Sequence, residues 1–111
     1  MTKYIQVTTT LSAREDADRL ARIVLESRLA ACVQTIGPIS STYWWRGQIE
    51  TATEWLCVMK TERALYAELE AAISGAHTYE TPEIIATPVE AGSAAYLAWL
   101  SGEVGSPRSG N

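Results

Sequence analysis

Residues 54–60, Glu-Trp-Leu-Cys-Val-Met-Lys, read as a strand that is apolar on both sides. Alternation puts Trp55, Cys57 and Met59 on one side, with Leu56 and Val58 on the other and Lys60 at the end. Such a strand needs cover on both faces of its sheet, because apolar area left in water costs about 25 cal/mol per Å². The rest of the sequence supplies that cover on one face only.

The neighbouring elements follow from switches in hydrophobic period. Residues 4–10 are rich in β-branched types suited to a pleated surface, with Ile5, Val7 and Thr9 sharing one side. Ser12, three residues before Glu15, predicts a capped helix with the apolar stripe Ala13, Ala17, Leu20, Ala21 and Val24. A short apolar run through Cys32, Val33 and Ile36 is expected to break at Gly37-Pro38. Arg46-Gly47, flanked by residues 42–45 and 48–51, predicts a hairpin turn. Thr61 is the expected cap of a second helix reaching about Gly75, with Leu65, Leu69, Ala72, Ile73 and Ala76 on one side. Pro82 favours extended backbone at Thr81, so residues 77–83 read as a structured loop. A last buried strand over 84–89 and a short helix capped by Ser93 complete the chain.

The order is β-α-β-β-α-β with a C-terminal helix, an α+β ferredoxin-like sandwich with an extended β-hairpin. Its 111 residues suit one domain, expected over 1–102, followed by a flexible Gly-, Ser- and Pro-containing tail over 103–111. Two helices cover one sheet face in this fold. The bare second face, together with Trp44 and Trp45 beside a hairpin tip, predicts self-association.

The net charge of -4 argues against nucleic acid and against a membrane surface, whose binders carry a basic footprint. No apolar stretch is long enough to span a bilayer, and the start lacks the apolar run of a signal peptide. Cys32 and Cys57, with 24 residues between them, form no disulfide framework and no CxxC motif. A cytoplasmic protein with reduced thiols is the expectation. No Ser-His-Asp set, HExxH or P-loop is recognisable, so catalysis is not expected.

Leu29-Ala-Ala-Cys-Val33, Tyr43-Trp-Trp-Arg-Gly47, Met59-Lys-Thr61, His77-Thr-Tyr-Glu-Thr-Pro-Glu-Ile-Ile85 and Tyr96-Leu-Ala-Trp99 occur in this order. As an ordered set, over residues 3–102, they resemble the CutA divalent-cation tolerance family. The resemblance implies a tight homotrimer with the hairpin reaching between subunits, and a role in tolerance to copper and other divalent ions. In the bacterial pattern the metal candidates are a cysteine near the end of the first strand and two adjacent histidines. These positions fall on Thr9 and on Ala76-His77, so His77 is the one retained. The implied trimer is also similar to that of PII signalling proteins, which bind nucleotides between subunits.

His77, the only histidine, therefore has two readings: a weak ligand for copper(II) or another divalent cation, or a loop residue donating to a backbone carbonyl. Cys32 has two as well, a metal or redox thiol or a small hydrophobe in a strand. Trp45, Lys60, Tyr79, Glu80 and Glu83 are the candidates for an inter-subunit cleft, where the Lys60 ammonium could meet a small anionic or nucleotide-like ligand. A solvated strand end is the alternative reading of Lys60.

Overall fold

Alternation along β1 (Tyr4–Leu11) sends Ile5, Val7 and Thr9 to one side, where all three are fully buried. The computed structural model describes residues 2–105. In it β1 is followed by α1 (Arg14–Glu26), β2 (Cys32–Trp45), β3 (Gln48–Glu62), a 3-10 turn (Arg63–Leu65), α2 (Tyr66–Ala76), β4 (Ile85–Pro88) and α3 (Ala94–Glu103). The sheet order is β2-β3-β1-β4, with antiparallel neighbours throughout, as a ferredoxin-like fold requires. Ala17, Leu20 and Val24 of α1 and Leu69 and Ile73 of α2 close over Ile5, Val7, Cys57 and Met59 to make the core.

The other face stays open over much of its length. Register puts Thr8 opposite Val58 and Thr10 opposite Leu56, with Gln34 and Ile36 beside them on β2. Leu56 and Val58 are half-buried, and Ile36 is 51% exposed. α3 crosses only one end of this face, where Ser101 is hydrogen-bonded to Tyr4 and Glu62. Ser93 caps α3 as predicted, accepting from the Tyr96 amide at 3.3 Å.

Several local expectations are corrected. Gly37-Pro38 does not end β2 but sits in a register shift between Ile36 and Ile39, a bulge inside one long strand. A Cβ at Gly37 would collide with the Trp55 indole, which accounts for glycine there. Ser12 and Thr61 cap nothing. The residue before α1 is Ala13, and Thr61 is still in β3, paired with Ile5, because the ladder continues through Glu62. β4 is exposed along its length, since it is an edge strand paired on one side only. α3 runs through Glu103 and Val104 is buried, so ordered chain extends past residue 102; residues 106–111 of the expected tail lie outside the described residues. The Arg46-Gly47 turn has φ of 51° and 81°, the double positive φ that a two-residue hairpin prefers.

Thr9 and Thr61 each bury a hydroxyl that has no partner among the described residues. Thr9→Val and Thr61→Val remove an uncompensated polar group while keeping the shape, so each is expected to stabilise the fold by about 1 kcal/mol. Urea unfolding of the two variants beside the parent measures this. A loss of stability would mean the hydroxyl is bonded.

Candidate functional site

β3 outruns the sheet. Only residues 55–62 pair with β1, while Gln48–Glu54 pair with β2 alone and project as a ribbon. The loop after α2 folds against the base of that ribbon. Between them lies an open groove of about 930 Å³, with Thr10 at the strand end, Tyr43 and Glu54 on the ribbon and Tyr79 and Pro82 on the loop.

One chain of hydrogen bonds fixes the loop. α2 ends at Ala76, and extended backbone at His77 turns its ring toward β1. The carbonyl of Thr10 can only accept, so the 2.9 Å contact to His77 Nε2 identifies that nitrogen as the protonated one. His77 Nδ1 then accepts from the Tyr79 amide at 3.0 Å. The two rings lie 4.9 Å apart, tilted by 47°. The Tyr79 hydroxyl donates in turn to Glu54 Oε2 at 2.6 Å.

The electrostatics follow from this packing. Burial disfavours the imidazolium and lowers the His77 pKa from its ordinary 6.5, against the opposing pull of the Thr10 carbonyl and the Glu54 charge. Burial, then the neighbouring Glu54 carboxylate, pushes the Tyr79 phenol far above its ordinary value, so it stays a donor. Glu54 is 5% exposed. The Arg46–Glu80 pair across the groove mouth, 3.7 Å, is exposed on both sides and contributes little.

Of the residues singled out by sequence, Trp45, Tyr79, Glu80 and Glu83 line this groove, and His77 stands behind it through Thr10. Lys60 does not join them within the chain. It is six residues from Glu54 on the same strand, roughly 20 Å at the strand rise, and it donates to Gln34 at 2.6 Å. Cys32 lies opposite Lys60, four positions along β3 from the partner of Thr10, roughly 13 Å from the His77 end. Thr9, where the resemblance places a family cysteine, is sealed in the helix-facing core.

Within the chain these residues do not come together as a closed set of copper ligands. Both His77 nitrogens are engaged, Cys32 is remote, and no cluster of three or more His, Cys, Asp or Glu side chains exists among the described residues. Glu54 was missed by sequence reasoning. Its signal was present, a carboxylate heading an apolar strand, but only the loop's arrival shows why it is there.

Comparison with known proteins agrees with the fold. Residues 5–103 match the family described as CutA1 divalent ion tolerance protein. The chain is 43% identical over 91 residues to the divalent-cation tolerance protein CutA of Archaeoglobus fulgidus, covering 82% of this chain and 88% of that protein. It is 38% identical over 96 residues to the chloroplastic protein CutA 1 of Oryza sativa, covering 86% of this chain but only 54% of that one. The solved structure of the periplasmic divalent cation tolerance protein CutA from Archaeoglobus fulgidus superposes with a TM-score of 0.89 at 38% identity, over 92% of this chain and 99% of that one.

The His77 clip gives a pH dependence with a defined sign. The folded state holds the neutral ring, so between the lowered folded pKa and the ordinary 6.5 the unfolded chain binds more protons. Stability from this group is therefore complete above pH 6.5 and is lost as pH falls below it. Urea unfolding midpoints measured between about pH 5 and 8 should decline on the acid side in the parent and decline less in His77→Gln. Parallel curves for the two proteins would remove His77 as the cause.

Proposed function

The chain belongs to the CutA1 divalent ion tolerance protein family, and from that premise we propose that it serves divalent-ion tolerance as a homotrimer that binds rather than catalyses. The observation carrying the assembly is the open sheet face. Leu56 and Val58 are only half-buried, Ile36 and Ile85 are exposed on both sides of them, and the ribbon leaves Trp44 72% and Ile49 63% exposed. Large apolar side chains left exposed on the sheet face and on the far face of the ribbon are the mark of partner surfaces, and β2 and β4 are the edge strands of the sheet among the described residues.

Divalent cations, copper(II) among them, are held weakly in this reading. The one imidazole can offer Nδ1 only by releasing the Tyr79 amide, and no second donor of comparable softness stands beside it among the described residues. Cytoplasmic residence belongs to the same proposal. Cys32 and Cys57 sit on opposite faces of the sheet and cannot pair, so the fold asks for no oxidising compartment. Among the described residues no helix is long and apolar enough to cross a membrane.

A second reading, a PII-like signalling module with a ligand at the subunit boundary, is favoured by the groove itself, which gathers Trp45, Tyr79, Glu80 and Glu83 as a ligand site would. Lys60, needed for an anionic ligand, is absent from that lining.

Native mass spectrometry of the protein titrated with Cu(II) and Zn(II), beside His77→Ala, tests the leading proposal. A trimer that takes up ions only at large excess, and less in the variant, is the expected result. A monomer would overturn the assembly. Tight stoichiometric uptake undiminished in His77→Ala would overturn the weak His77 site.

A further inference from the structure

We propose that α3 is a strap, closed over one end of the open sheet face by two polar clasps, and that Arg28 holds the outer clasp and so fixes how far the partner surface extends. The proposal rests on reading the open face as a subunit surface. Of the ten residues of α3 only Leu100 is buried, with Val104 buried just beyond its end. So short an apolar contact leaves much of the hold on α3 to hydrogen bonds. At the inner clasp Tyr4 donates to Ser101 Oγ at 2.8 Å, and Ser101 donates to the Glu62 carboxylate. At the outer clasp Arg28 Nη1 donates to the Glu103 carbonyl and to Glu103 Oε1, both at 3.0 Å. The Gly105 amide donates back to the Arg28 carbonyl at 2.9 Å.

Arg28 stands where a helix end ordinarily has glycine. The Arg28 amide donates to the Leu25 carbonyl and the Leu29 amide to that of Val24, the pair of bonds that closes a helix over a residue of positive φ. Arg28 has φ of 61°. A side chain at such a φ strains the backbone, and glycine would not. The guanidinium gives α1 nothing in return, because it bonds to Glu103 alone among the described residues. Arg28 follows a helix of the covered layer, whereas Glu103 ends the helix on the opposite face, so the clasp joins the two layers. The strained turn serves α3.

The closed strap carries surface of its own. Ala95, Tyr96, Ala98, Trp99 and Gly102 are exposed, and no charged residue falls among them. A helix that is apolar on its outer side as well as its inner side is one that is covered on both. The Tyr96 phenol lies beside the Cys32 thiol at the β2 end of the open face, so this surface continues the one formed by Ile36, Leu56 and Val58. That continuity identifies the occupant as the second copy already assigned to the open face. Release of the strap would withdraw Tyr96 and Trp99 from that surface, and by linkage a partner seated on both would hold the strap closed.

Hydrogen exchange read by mass spectrometry, with native mass spectrometry of the same samples, tests this on Arg28→Gly, which relieves the turn while removing the grip. Exchange across residues 95–103 should run about tenfold faster than in the parent, while exchange across α1 should be unchanged or slower. The trimer should give way to smaller species at equal concentration. Ser101→Ala, which opens the inner clasp, should loosen α3 in the same way without touching the turn. Arg22→Gln, which removes an exposed α1 charge paired with Glu26, should behave as the parent does. Unchanged exchange across 95–103 in Arg28→Gly, or an equal acceleration across α1, would overturn the clasp. A loosened α3 in an undiminished trimer would overturn its part in the partner surface. A monomeric parent would overturn that part together with the subunit reading beneath it, while the exchange rates would still decide the clasp.

Discussion

The β2–β3 ribbon is longer than the sheet that anchors it, and most of the molecule's open chemistry follows from that mismatch. Its inner part is held on both sides, by β1 and by the helices packed over Cys57 and Met59. Its outer part, from Ile39 and Glu54 to the Arg46-Gly47 turn, has only its own cross-strand partners. An isolated two-stranded ribbon is marginally stable in water. The exposure of Trp44 and Ile49 shows that this one lacks the third layer that would normally stabilise it. The overhang needs support, and among the described residues the 77–83 loop supplies it.

That support is polar and directional. Thr10, His77, Tyr79 and Glu54 link β1, the loop and β3 through three hydrogen bonds between 2.6 and 3.0 Å. Each is worth about 1 kcal/mol net, but they act in series, so losing the ring in the middle releases the loop as a unit. The same bonds are the reason any metal held by His77 is proposed to be held weakly. A ligand needs a free nitrogen lone pair, and the clip uses the only one the neutral ring has.

Much of the fold is legible in the residues. The period-2 run from Ile5 to Thr9, the period-3.6 stripe of α1, the Ser93 cap and the positive-φ turn are local signals that the structure repeats. The failures share one cause, namely long-range pairing overriding local preference. Thr61 has the side chain of a cap, but its ladder partner Ile5 keeps it extended, so the helix waits until Tyr66. Gly37-Pro38 looks like a stop, yet the pairing resumes at Ile39 because a bulge absorbs the irregularity. The site was half legible for the same reason. His77, Tyr79, Glu80 and Glu83 are neighbours in sequence, whereas Glu54 joins them only through the fold, and Lys60 shares its strand but sits at the other end.

The open face and the groove are parts of one surface, and this couples assembly to the loop that closes the groove. Thr10 pairs with Leu56 on the open face and also lines the groove, while Glu54 lies one alternation beyond Leu56 on the same side of β3. A second copy laid over Leu56 and Val58 would bring low-dielectric surface to the edge of the Glu54 carboxylate. An unpaired charge becomes more costly there, and a paired one more strongly held. Covering that end of the face would also withdraw the Tyr79–Glu54 hydrogen bond from water, so assembly and the order of the 77–83 loop would favour one another.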